Sequence, residues 1–129
     1  MQEHEIQDSI WLHISEQSLG IMFRANVGEA WTGQRVERLP DGSIRIYRPR
    51  RFSTGLPSGF PDLFGWCSQT VTAEMLGQRV AIFAGIEVKS ATGRVSSAQE
   101  QFLNTLRQAG SFSGVARSPE DAELILRGL

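Results

Sequence analysis

The chain has 129 residues, 40% of them apolar and 21% charged, with a formal net charge of −1. That balance suits one compact domain and excludes a disordered polar chain, and no apolar run approaches the roughly 18 residues of a membrane span. A single cysteine, Cys67, excludes an internal disulfide framework. Together with an acidic, amphipathic N-terminus unlike a signal peptide, it predicts a cytoplasmic protein.

Residues 3–17 carry Ile6, Ile10, Leu12 and Ile14 at spacings near one helical turn, and Gly20 ends that segment. The stretch 21–27 alternates as a strand up to Gly28. "AWTGQRVERL", Pro40-Asp41-Gly42 and "SIRIYR" read as a β-hairpin with a turn at its tip. Residues 49–61, with three prolines and two glycines, predict a loop entered by arginines, and "DLFGWC" a short strand. Residues 70–78 fit either a helical turn or a strand edge. Residues 78–89 predict a long central strand covered on both faces, because Ile82, Phe83, Ala84, Gly85 and Ile86 follow one another. "SSAQEQFLNTLRQAG" predicts a helix capped by Ser97, with Glu100 three residues on and Gly110 just past its end. "SFSGVAR" returns as a strand. A last helix starts at Ser118 with Pro119 in its first position.

The central strand ends in Glu87-Val88-Lys89. Side chains alternate along a strand, so Glu87 and Lys89 share a face and Val88 points to the other. Asp62 opens a strand after the glycine-rich loop, and neighbouring strands would bring it to the same sheet end. Two carboxylates placed together repel unless a divalent cation sits between them, and hard cations such as Mg²⁺ select oxygen donors of this kind. The Val88 carbonyl is a further candidate ligand. Lys89 is the sole lysine beside twelve arginines. Lysine is a compact ammonium able to orient a water or meet the charge of a phosphodiester transition state. A same-face ion pair at a strand end is the plainer explanation of Glu87 and Lys89 taken alone.

Charge is unevenly placed. Seven arginines fall between Arg24 and Arg51 against Glu29, Glu37 and Asp41, while the rest of the chain is acidic. "IRIYRPRRF" interleaves Arg45, Arg48, Arg50 and Arg51 with Tyr47 and Phe52, a combination suited to phosphate contact and base stacking. Arg94, between the Glu87–Lys89 strand and the following helix, is a further candidate phosphate contact.

"GFPDLFGW", "IEVKSATGRVSSAQEQFLNTLRQAG" and "GVARSPEDAELIL" together resemble the VRR-NUC family of the PD-(D/E)XK nuclease superfamily. The resemblance implies an α/β fold: a single restriction-endonuclease-like domain spanning 1–129, with a mixed β-sheet flanked by helices. The order would be α-β-β-β-α-β, with an extra basic hairpin and a C-terminal helix. It implies a Mg²⁺- or Mn²⁺-dependent DNA endonuclease of stand-alone phage or bacterial type, acting as a homodimer on branched DNA such as Holliday junctions. Its alternative is an inactive DNA-binding module of the same fold. Residue by residue, it makes Asp62 and Glu87 metal ligands with the Val88 carbonyl, Lys89 the catalytic lysine, and Gln99 an active-site glutamine. The family glutamate on the first helix falls on Glu3, with Glu5 the alternative.

Overall fold

A computed structural model describes residues 2–129, in twelve elements. It is a mixed α/β protein whose described strands form four two-stranded ladders. Two compact units divide the chain, residues 1–65 and 66–129.

The first unit begins with α1 (Glu3–Glu16), close to the predicted span. The Gln2 backbone N–H donates to Glu5 Oε2 at 2.7 Å, satisfying a donor that a helix start otherwise leaves unpaired. The helix docks on β1 (Ile21–Arg24) through polar anchors: Trp11 Nε1 donates to the Met22 carbonyl at 2.9 Å, and Arg24 pairs with Asp8 while lying over the Trp11 ring. β1 pairs with β6 (Leu63–Trp66), and Phe64 packs against Phe23 and edge-on against Phe60. Gly65 is required there, because a Cβ would stand 1.9 Å from the Ile21 carbonyl oxygen.

Between β1 and β6 lies the basic hairpin, in two tiers. β2 (Glu29–Thr32) pairs antiparallel with β5 (Arg50–Ser53), and β3 (Arg35–Arg38) with β4 (Ile44–Tyr47). Residues 50–53 are therefore a strand, where the sequence predicts a loop. Their partner residues 29–32 supply the ladder bonds that the local proline and glycine signals give no sign of. At the tip, Ser43 donates to Asp41 Oδ1 from its hydroxyl and its N–H, and these bonds hold the Asp41 carboxyl below its ordinary pKa. Gly42 takes the positive φ of 88° that the turn requires.

The second unit is a βαβ arrangement closed by a helix. A 3₁₀ turn at Ala73–Met75 resolves the ambiguous stretch 70–78 as helical. β7 (Ala84–Val88) runs parallel to β8 (Phe112–Ala116), with α2 (Ser97–Gln108) as the crossover and α3 (Pro119–Leu126) following. α2 covers the face carrying Gly85, Glu87 and Ser113: a Cβ on Gly85 would lie 2.6 Å from Leu106 Cδ1, and Ser113 Oγ donates to the Leu103 carbonyl. α3 covers the opposite face of β8, with Ile125 directly over Gly114. Leu103, Leu106 and Ala116 are buried between these layers.

Two expectations change here. The predicted strand 78–89 is regular only over 84–88, and its second face is not covered: Ile86 is 36% and Val88 75% exposed. α3 sits on β8 rather than β7, so an apolar run alone did not specify two-sided burial. The α2 cap is Ser96 rather than Ser97. Ser96 Oγ accepts the Gln99 N–H at 3.1 Å, and Gln99 Oε1 accepts the Ser96 N–H at 3.0 Å. The glutamine at the third helical position closes the capping box one residue earlier than Glu100 would. The C-terminal expectations hold, with Gly110 at φ 96° after α2 and Ser118 accepting the Asp121 N–H before α3.

Replacing Gly85 by Ala presses a methyl against Leu106, which is 1% exposed and has no room to yield. The expected cost is about 1–3 kcal/mol, read as a lower urea midpoint at unchanged slope. An unchanged midpoint would contradict this packing.

Candidate active site

The end of β7 and the start of α2 bring three of the predicted site residues together. Because β7 alternates, Gly85 and Glu87 face α2 while Ile86 and Val88 face away. Gly85 lets Leu106 approach closely, which brings the N-terminal turn of α2 alongside Glu87. There Gln99 Nε2 donates to Glu87 Oε1 at 2.8 Å. Lys89 Nζ lies 3.2 Å from the same oxygen, in a pair whose side chains are 21% and 29% exposed.

The orientation of the Gln99 amide follows from chemistry. Its oxygen accepts from the Ser96 backbone N–H, so its NH₂ must be the group facing the carboxylate. The cap that starts α2 thus also aims a donor at Glu87. Gln99 and Lys89 both fasten Oε1, and among the described residues no hydrogen bond or ion pair engages Oε2.

The backbone adds a second oxygen. Phe112 N–H donates to the Phe83 carbonyl and Lys89 N–H to the Ala116 carbonyl. In a parallel ladder alternate residues bond to the same neighbour, so residues 83, 85, 87 and 89 face β8. The Val88 carbonyl is directed to the opposite edge. Glu87 Oε2 and this carbonyl are hard oxygen donors, the chemistry that Mg²⁺ or Mn²⁺ selects. Among the described residues no group of three or more His, Cys, Asp and Glu side chains is gathered to hold a metal, so water or phosphate oxygens would complete such a shell.

The loop from β7 to α2 folds tightly on Lys89. Gly93 N–H donates to the Ser90 carbonyl, and a Cβ on Gly93 would come within 3.5 Å of Lys89 Cβ. Arg117, just past β8, donates to the Ser90 carbonyl from the other side. The sequence marks Ser96 only as a candidate phosphate contact, not as the cap, and does not mark Arg117. The S-x-x-Q spacing contains the signal for Ser96, whereas nothing local marks Arg117.

The remaining candidates lie apart in the chain. Asp62 is exposed just before β6, which pairs with β1 and not with β7 as the sequence predicts, and its carbonyl accepts the Ala25 N–H at 2.9 Å. Glu3 is exposed in the first turn of α1. Both belong to the first unit. Arg94 is exposed in the β7–α2 loop. Arg45, Arg48, Arg50 and Arg51 are all exposed on the hairpin, Arg48 at its waist between the two tiers. Arg51 lies 3.3 Å from Glu29 and over the Trp31 ring.

Removing Gln99 and removing Ser96 test this geometry without any substrate. Ser96→Ala loses a cap worth about 1 kcal/mol. Gln99→Ala loses its side of the cap and a bond to a partly buried carboxylate, for about 2 kcal/mol. Urea unfolding should place Gln99→Ala below Ser96→Ala, and the reverse order would mean that the Gln99–Glu87 bond contributes nothing.

No curated protein and no solved structure matches the chain. No helix among the described residues is long and apolar enough to cross a membrane. The model of the VRR-NUC domain family matches residues 1–120, nearly the whole chain, a span that includes Glu87, Val88, Lys89 and Gln99. The chain belongs to the VRR-NUC family of nuclease domains.

Proposed function

We propose that this VRR-NUC domain is a divalent-metal-dependent endonuclease that hydrolyses phosphodiester bonds in branched DNA, Holliday junctions included. The observation that carries the reading is the shared Glu87 Oε1. That one carboxylate oxygen is fixed by both an amide and an ammonium.

Glu87, the Val88 carbonyl and Asp62 are the assigned ligands, with Glu3 as the acid from α1. Asp62 and Glu3 rest on the family pattern. The choice of Glu3 over Glu5 gains support from the hydrogen bond that commits the Glu5 carboxylate to the Gln2 N–H. A divalent cation bound by these oxygens supplies positive charge to the scissile phosphate and acidity to a coordinated water.

The chain's own groups do the rest. Gln99 keeps Glu87 in one rotamer, so the site does not reorganise as charge develops. Lys89 places an ammonium where the phosphoryl group gains negative charge. It also orients the attacking water, whose oxygen forms the new P–O bond as the bond to the leaving sugar oxygen breaks. The attacking water gives up a proton to solvent, and the leaving sugar oxygen takes one up from solvent, so the step balances as hydrolysis. Arg94 reaches toward the flanking phosphate. Arg45, Arg48, Arg50 and Arg51 hold the DNA backbone farther away. Two copies acting as a homodimer would offer two such centres to paired strands.

Purified protein incubated with four-way-junction, duplex and single-stranded DNA tests the reaction. Cleavage should require Mg²⁺ or Mn²⁺, and Lys89→Ala and Asp62→Asn should each lower it by about 100-fold or more. Tight binding without cleavage under any metal would instead leave a DNA-holding module. Removing Arg48, Arg50 and Arg51 together should weaken binding and reduce the salt slope by about 2 to 3. Unchanged affinity and slope would exclude the hairpin as a phosphate contact.

A further inference from the structure

The hairpin's arginines are not all alike. On the outer tier, β3–β4, Arg35 pairs opposite Tyr47 and Glu37 opposite Arg45, so these four side chains share one face. The Arg35 guanidinium lies 4.3 Å from the Tyr47 ring centroid and 3.2 Å from Glu37 Oε2, and the Tyr47 hydroxyl donates to that same oxygen at 2.8 Å. On the inner tier, β2–β5, Trp31 is opposite Arg51, with Glu29 on the same face. The Arg51 guanidinium lies 5.7 Å from the Trp31 ring and 3.3 Å from Glu29 Oε2. Each tier thus repeats one device: an aromatic ring, a guanidinium laid over it, and a carboxylate holding that guanidinium.

Arg35 and Arg51 each face a carboxylate, which offsets part of the charge they offer an anion. What the carboxylate leaves available is a flat, oriented π surface, and Trp31 remains 59% exposed. Arg38, Arg45, Arg48 and Arg50 are in no ion pair among the described residues; Arg45 shares the Tyr47 face, whereas Arg38 and Arg50 alternate to the opposite face.

The waist between the tiers joins the two functions. The tiers keep one register, and two hollows open at the waist around Gln34. One, of about 450 Å³, is lined by Gln34, Arg48, Pro49 and Arg50; the other, of about 440 Å³, by Gln34, Arg35 and Tyr47. Arg48 adopts a φ of 49° immediately before a proline, a left-handed conformation that costs a non-glycine residue about 1–2 kcal/mol. Gly33 opposite it tolerates no side chain, since a Cβ would fall 2.5 Å from Ile46 Cγ2 and 2.6 Å from the Tyr47 carbonyl oxygen. Strain of this kind, held in place by its surroundings, marks a position with a task.

We propose that this face of the hairpin binds an unpaired DNA strand, with bases stacking at the Trp31 and Tyr47 stations and phosphates on Arg45, which shares the Tyr47 face. The stations are four residues apart on each strand, a span that a few nucleotides cover. Bases inside a duplex are closed to such stacking, whereas a flap or a junction centre exposes them. Aromatic platforms interleaved with free cations are the chemistry that recognises single strands. A second copy of this chain is a poor occupant, because a two-fold contact would press like-charged arginine faces together. The identity of the ligand as DNA rests on the nuclease reading; the stacking geometry does not.

Binding measured in EDTA separates the two, since no cleavage is needed. Fluorescence anisotropy with a short oligo(dT) and with a blunt duplex should show Trp31→Ala and Tyr47→Ala each weakening the single strand by about 10-fold. Duplex affinity should not change. Oligo(dT) should also quench tryptophan emission in the wild type, and Trp31→Phe, which preserves a ring, should bind while losing most of that quench. Equal losses on both DNAs, or a full quench in Trp31→Phe, would overturn the stacking proposal. A protein that passes these tests yet cuts no DNA with any metal would overturn the nuclease reading and leave this surface standing.

Discussion

One carboxylate oxygen organises the second half of this protein. Glu87 Oε1 receives the Gln99 amide and the Lys89 ammonium, and each partner is itself fixed by the fold. Gln99 is held by the capping box that starts α2, and Lys89 by the ladder bond from its N–H to Ala116 and by the loop folded over it. The constraint extends inward, because α2 reaches Glu87 only where Gly85 admits Leu106. A helix cap, a glycine and a strand alternation together produce a polarised site. The same contacts that stabilise the unit thereby preorganise its chemistry, so no separate scaffold for the side chains is needed.

An isolated Glu–Lys pair at a strand end is a weak signal, and most such pairs do no more than solvate a surface. The third partner changes that reading. A glutamine that caps a helix with its oxygen has only its NH₂ to give, and here that group meets the carboxylate rather than water. The remaining carboxylate oxygen is where the proposed cation would bind, and VRR-NUC membership makes this a nuclease domain.

Local signals carried much of this into the sequence. Alternation placed Glu87 and Lys89 on one face, and Ser118-Pro119 and Gly110 marked helix ends where the chain turns. Other features depend on partners far away in the chain. Residues 50–53 look like loop until strand 29–32 pairs with them. Ile86 and Val88 look buried until α3 is seen to lie over β8 instead. Arg117 has no local mark at all, because its role is to meet the Ser90 carbonyl. Ser96 was legible in principle: reading Gln99, rather than Glu100, as the capping partner would have moved the helix start by one residue and joined the cap to the site. The roles of Asp62 and Glu3 come from the family pattern, and those of Glu87, Lys89 and Gln99 gain support from contact geometry.

The hairpin shows a different economy of charge. Its carboxylates do not simply dilute a basic patch; Glu29 and Glu37 hold guanidiniums flat against rings and leave other arginines free. The most direct test of the central claim is Mn²⁺ binding followed by electron paramagnetic resonance, without DNA, in wild type, Glu87→Gln and Gln99→Ala. Wild type should bind Mn²⁺, Glu87→Gln should lose that binding, and Gln99→Ala should keep the site at about 10-fold lower affinity, as loss of an outer partner does. Undiminished Mn²⁺ binding in Glu87→Gln would contradict the account.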